Sequence, residues 1–188
     1  MKMDTQIEHF EIYDQDNQPL HYSKPRNLVH LDGDWHRTVQ IFVINQQEQI
    51  LCNYRSKEKD VFPLFWDLSI GGHITPGESY LSAAVREINE EIGIKIEPHE
   101  LRFICHFSLD GYDETTKHID REHATIFLYK THFTTADFHF AADEIDAIEY
   151  FSFEDIRKSL LSEVPAIRFI PLKEIFIQIL AKIEEALN

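Results

Sequence analysis

Apolar residues recur along this chain with two periods, and the places where one period gives way to the other mark its elements. Between His9 and Tyr13 apolar and polar side chains alternate, and Asp14-Gln15-Asp16-Asn17 is turn chemistry. With a return strand from about Leu20, residues 1–29 read as an N-terminal hairpin and a connecting strand. Thr38 to Asn45 and Ile50 to Tyr54 are strands joined at Gln46-Gln47-Glu48, and Val61 to Ile70, with Phe62, Phe65 and a mostly buried Trp66, leads into Gly71-Gly72. The period then changes to that of a helix. Leu81, Ala84, Val85, Ile88 and Ile92 form one apolar stripe, Ser79 is an N-cap and Gly93 a left-handed end, so the helix runs from about Ser79 to Glu91. Strand patterns return over Leu101 to Leu109, Ala124 to Thr131 and Asp143 to Phe151, with a polar loop over 110–117. A short helix follows from Ser152 or Phe153 to Leu161. The last helix, Leu172 to Leu187, places Leu172, Ile175, Phe176, Ile179, Ile183 and Ala186 on one face and reads purely as packing. Strands, a central helix, further strands and a closing helix describe an α/β fold, an α/β/α sandwich around a mixed sheet.

Length keeps this in one domain, 1–188, since no linker, repeat or low-complexity tract divides the chain. Charge narrows the partners. With 33 Asp and Glu against 18 Lys and Arg, the net charge of −15 argues against a nucleic-acid polymer or an anionic membrane, though not against a nucleotide bridged by metal. Cys52 and Cys105 each fall in an apolar run and are expected as buried free thiols. No apolar run of about 18 residues and no signal-peptide pattern is present, so the cytoplasm is the default location.

The central helix changes the picture more than composition does. Glu87, Glu90 and Glu91 stand at i, i+3 and i+4, where like charges repel and raise one another's proton affinity. An acidic helix face is ordinarily solvated surface. The alternative is a divalent ion with oxygen ligands, Mg²⁺ or Mn²⁺, rather than Zn²⁺, because no thiolate or helical histidine pair is near. Arg86 is placed to hold Glu78 or Glu90 in a chosen orientation. Arg55 and Lys59 are two cations four apart in an acidic chain, suited either to a diphosphate or to surface ion pairs with Glu58 and Asp60. His30 and His36 flank a turn at Gly33, and the pair Gly71-Gly72 permits close backbone approach.

Gly72, then Glu78 after five residues, then Arg86-Glu87-Ile88-Asn89-Glu90-Glu91-Ile92-Gly93-Ile94 after seven more, matches the Nudix box over 72–94 without a departure, and the chain resembles the Nudix hydrolase superfamily. The resemblance covers about Asp32 to Asp155. It implies a Nudix-type sandwich in which Glu87, Glu90 and Glu91, with the carbonyl at or beside Gly72, hold Mg²⁺ against the diphosphate of a small-molecule substrate. The stretches around His36, Tyr54 to Lys59, Phe65-Trp66-Asp67 and Gly71-Gly72-His73 resemble the branch containing isopentenyl diphosphate isomerases. In that branch the matching His36, His73 and Glu122 join a metal, with His30 and Asp120 as weaker matches, and Arg55 and Lys59 contact the diphosphate. Many Nudix enzymes carry a glutamate at the place of Glu144 that ligates metal or activates water.

The expected chemistry is therefore metal-assisted hydrolysis of a diphosphate linkage, with Glu90, Glu91, Arg86 and Glu144 as its catalytic set. Two rivals stand beside it: the isomerase, whose catalytic cysteine position is Gly71 here, and a nucleotide-sensing module without turnover. A homodimer is compatible with the sequence.

Overall fold

The structure is a computed structural model that describes residues 7–59, 61–112, 114, 117–141 and 143–188. Its centre is β3 (His36–Ile44), which faces protein on both sides. Val39, Ile41 and Val43 point to one layer and Phe42 and Ile44 to the other, so the strand reads as a nearly continuous apolar run. Among the described residues seven strands join this sheet. β4 (Ile50–Arg55), β5 (Trp66–Asp67), β6 (Ile70–His73), β7 (Leu101–Tyr112), β8 (Ile119–Lys130) and β9 (Ile145–Phe151) are the others. β8 lies parallel to β3 and β6 antiparallel to it, while β9 pairs with β4. The sheet is mixed, as the pattern predicts.

One face is covered by α2 (Tyr80–Ile92), whose Ala83, Ala84, Ile88 and Ile92 pack on Val39, Ile41 and Ile70. The other is covered by α3 (Phe153–Leu161) and α4 (Lys173–Leu187), with Ile156, Phe176, Ile179, Leu180 and Ile183 against Phe42, Cys52, Ile126 and Leu128. The expected stripes need two corrections. Leu81 is exposed and Ala83 takes its place, because α2 turns Glu87 as well as Ile88 toward the sheet. Leu180 is fully buried in α4, since a face 100° wide admits the i+4 neighbour of Phe176.

Ahead of the sandwich, β1 (His9–Tyr13) and β2 (Pro19–Pro25) form the expected hairpin, although residues 1–6 lie outside the described part. The connecting strand is instead α1 (Arg26–Asp32). Seven residues give too few repeats for period to separate helix from strand, and only Val29 and His30 are buried. Phe10, Ile12 and Val29 form a small core of their own. Arg37 fastens this unit to the sandwich: its guanidinium lies 3.8 Å above the Tyr13 ring and 5.1 Å from the Tyr80 ring, and bonds Asn17 Oδ1 at 2.7 Å.

Other boundaries shift modestly. Asp110 to Tyr112 continue β7 and Ile119 already belongs to β8, so the polar loop is shorter than its composition suggests; 113, 115 and 116 are outside the described residues. Trp66 is half-buried on the short edge strand, between Tyr54 and Phe151. Cys52 is buried and Cys105 half-buried, both as free thiols.

Candidate active site

The helix that carries the glutamates is fixed at both ends. Ser79 Oγ accepts from Ser82 N at 3.1 Å while Ser82 Oγ accepts from Ser79 N at 3.0 Å, a reciprocal cap, and Gly93 closes the helix at φ 73°. On its sheet-facing side Glu87 is buried beside Gly72. A Cβ on Gly72 would come within 2.4 Å of Glu87 Oε1, so only glycine lets the β6 backbone lie against that carboxylate.

Arg86 gathers most of the acidic face. Its Nε and Nη2 donate to Glu78 at 3.0 and 2.9 Å, and Nη1 donates to Glu87 at 2.6 Å and Glu90 at 2.9 Å. Nη2 also donates to the His73 carbonyl at 2.9 Å, tying the helix to β6. Burial raises the proton affinity of Glu78, but the Arg86 and Thr75 donors outweigh it and hold the carboxyl below its ordinary range. Glu87 is pushed up by burial against the same guanidinium. Glu91 is out of reach of Arg86. Burial raises it to about 8, opposed mainly by Lys59.

Lys59 touches the Glu144 carboxylate, so the two residues predicted from separate stretches meet across the cleft from Glu91. Among the described residues neither Arg55 nor Lys59 makes the expected surface pair with Glu58, which lies near Lys57; the pairing expected with Asp60 falls outside the described residues. Arg55 spends Nε on the carbonyls of Val61 and Phe62 at 3.2 Å, Nη2 on Val61 at 2.8 Å, and faces Asp67 through Nη1 at 3.5 Å. It braces a loop in which Phe62 and Leu64 hold φ of 49° and 62°.

A second cluster lies in the same cleft. The imidazoles of His30 on α1, His36 on β3 and His73 on β6 bring ligand atoms within 4.8 Å of one another. Glu122 on β8 sits opposite His36 in the parallel register, its Oε1 3.8 Å from His36 Nε2 and 3.9 Å from His73 Nε2. Asp120 Oδ1 is 3.0 Å from His30 Nδ1. His36 Nδ1 meets the Asp34 carbonyl at 3.1 Å; a carbonyl only accepts, so Nδ1 carries the hydrogen and Nε2 presents a lone pair. Burial lowers His36 to about 4 and His73 well below its usual range, keeping both neutral, and burial with Asp120 lifts Glu122 to about 7. His36 Nε2 and His73 Nε2 are buried without a hydrogen-bond partner, which is costly for a polar atom unless something binds there.

All the predicted site residues thus line, or lie beside, one cleft of about 890 Å³. Its wall also takes Asp120, a weaker match of the resemblance, together with Arg26 and Asp67, which sequence spacing leaves without a role. Asp67 had no usable signal: its neighbours read as core, and only the sheet turns its half-buried carboxyl toward Arg55.

A carboxylate-bearing helix that follows a glycine pair, packed on a mixed sheet in a three-layer sandwich, defines a class of protein, and the NUDIX domain model matches residues 34–175. The chain belongs to that family. It is 33% identical over 162 residues to Nudix hydrolase 3 of Arabidopsis thaliana, a match that takes in 85% of this chain and 21% of that protein. The chain thus spans about a fifth of that relative. Its fold is similar to that of DR0079 from Deinococcus radiodurans, with a TM-score of 0.71 at 22% identity, covering 91% of this chain and 98% of that one. It is also similar to the NUDIX domain of Shewanella oneidensis NrtR, solved with ADP ribose: TM-score 0.58, 13% identity, 81% of this chain and 88% of that one.

Proposed function

We propose that this single domain, 1–188, is a Mg²⁺-dependent hydrolase, with Mn²⁺ able to substitute, that cleaves the diphosphate linkage of a nucleoside diphosphate derivative or similar small organic diphosphate. One observation carries the reading: Glu87, Glu90 and Glu91 face the same cleft as Lys59 and Glu144, so anionic ligands, a countercharge and a base share one space. The residues fit the metals. The box offers only oxygen donors, as Mg²⁺ prefers, while His36, His73 and Glu122 offer two neutral imidazoles and a carboxylate, suited to a second, softer divalent ion. Bound ions at these places supply Lewis-acid polarisation of phosphoryl oxygens and charge neutralisation.

The chain's own groups do the rest. Arg86 fixes Glu78, Glu87 and Glu90 so that they need no rearrangement on binding. Lys59 neutralises diphosphate oxygen, and Arg55 acts through the loop it braces as well as through its charge. Glu144 accepts a proton from water as the water oxygen bonds to phosphorus; the phosphorus bond to the bridging oxygen breaks, and that oxygen leaves with the electron pair. Glu122, half-buried at the other end, is the second candidate base.

The isomerase reading loses support at Gly71. A Cβ there would lie 2.1 Å from the Val39 carbonyl oxygen, so this backbone has no room for the cysteine that chemistry requires. Two free thiols and an acidic surface suit the cytoplasm, which we take as the location; no helix among the described residues is long and apolar enough to cross a membrane. The test is product release from a panel of nucleoside diphosphates, ADP-ribose and non-nucleotide diphosphates with Mg²⁺, Mn²⁺ or chelator. Metal-dependent release from some member is expected, and cleavage indifferent to metal overturns the proposal.

A further inference from the structure

The N-terminal hairpin stands outside the helix-and-sheet frame that carries the glutamates, yet one of its side chains is built into the histidine cluster. Phe10 of β1 is 1% exposed. Its ring is stacked on that of His73, centroids 4.2 Å apart and planes 11° apart, and on that of His36 at 5.2 Å and 17°. The two imidazoles are themselves near-parallel, 25° apart at 5.2 Å. Three flat rings therefore share one orientation.

The two histidines differ in what else holds them. His36 has the Asp34 carbonyl on Nδ1, the kind of outer contact that sets the plane and the tautomer of a metal-binding imidazole. Among the described residues no hydrogen bond is made by the His73 side chain, whose Nε2 is buried without a partner. An imidazole on a glycine-flanked strand end has a broad second torsion, so a ring without such a bond must be oriented by packing. The Phe10 face is the closest ring against it.

We infer that Phe10 is a positioning residue for the histidine cluster: its ring face takes the place of the missing hydrogen bond on His73 and holds the two Nε2 atoms toward Glu122. The inference rests on the proposed reading of that cluster as a metal site. It makes the hairpin part of the working site, although its sequence carries no ligand. In the folded chain the hairpin is docked beside the cluster. Tyr13 N donates to the Trp35 carbonyl at 2.8 Å next to His36, and Arg37 stacks between Tyr13 and Tyr80.

The test is Co²⁺ titration of the whole chain in excess Mg²⁺, which occupies the oxygen-only site, read by the visible absorption of nitrogen-ligated Co²⁺. The unaltered protein is expected to show such a band, absent in His36→Gln. Phe10→Leu keeps an apolar side chain of similar bulk but has no flat face. Its Co²⁺ affinity is expected to fall about tenfold or more, as when an outer-shell partner is removed, with an altered band and little change in melting temperature. Phe10→Tyr, which keeps the face, is expected to bind like the unaltered protein. Phe10→Leu with an unchanged band and affinity overturns the inference while leaving the metal reading intact; no band in the unaltered protein overturns both. If Phe10→Leu does not fold, Phe10→Tyr decides: normal Co²⁺ affinity supports the role of the ring, and loss in a folded Phe10→Tyr overturns it.

Discussion

The cleft holds two clusters of groups able to ligate a metal, built in opposite ways. The glutamate cluster comes from one turn of one helix, and the repulsion among its carboxylates is offset by a single guanidinium with five hydrogen bonds into it and its surroundings. The histidine cluster draws on α1, β3, β6 and β8, is uncharged where it is most buried, and is kept so by desolvation. A charged site can be assembled on a local scaffold because a neighbouring cation offsets repulsion. A neutral site needs enclosure, and enclosure needs many elements.

Four measurements sharpen or break this contrast. The largest effect is expected from Glu90→Gln or Glu91→Gln, which removes an anionic ligand from a site whose electrostatic stabilisation is worth several kcal/mol. Hydrolysis should fall about 100-fold or more with the fold intact by circular dichroism, and full activity would mean the glutamates are only a solvated face. Next is the pH dependence of Mg²⁺ binding, followed by calorimetry. Glu91 holds its proton to about 8 in the folded chain against an ordinary 4.5, so Mg²⁺ must displace a proton below pH 8. Affinity should rise up to about tenfold per pH unit from pH 6 to 8 and then level. The metal-free protein should lose stability over the rise from pH 4.5 toward 8, because the folded state binds the extra proton there. His36 and His73 stay neutral throughout, and Glu122, lifted to about 7, adds a pH dependence at the other cluster.

Third, Lys59→Ala removes the cation that opposes the burial of Glu91, so the rise in Mg²⁺ affinity should move to higher pH. An unmoved profile would detach Lys59 from the glutamate cluster. The smallest effect is expected from Ser79→Ala, which deletes the N-cap of α2 and should cost about 1 kcal/mol in urea unfolding. Co²⁺ binding at the histidines should be unchanged by it, since no ligand there sits on α2. Equal loss at both clusters would show that they are not independent.

The contrast also explains what could be read from the chain beforehand. The sandwich was legible because β3 and α4 bury long periodic faces, and α2 was legible to within a residue at each end because Ser79 and Gly93 are chemical punctuation. Glu87, Glu90 and Glu91 are neighbours on one helix, so spacing alone brought them together. His36, His73 and Glu122 are joined by strand register, which no local spacing expresses. Asp67 and Phe10 were missed for the same reason, and α1 because seven residues with only Val29 and His30 buried carry too few repeats to show a helical period. Arg55 taught a different lesson: its charge was visible, but not that loop carbonyls would claim most of its donors.

The docking of the hairpin through Arg37 has a consequence for the order in which the molecule assembles. Among the described residues the two-stranded ribbon has only a small core, Phe10 and Ile12 with Val29 of α1, and buries too little to stand alone. It is expected to remain open until β3 and the start of α2 present Arg37 and Tyr80, and hydrogen exchange should find its amides among the earliest to open and the last to be protected. The segment that precedes the sandwich would then be among the last to settle, and the histidines would stay wet until it did.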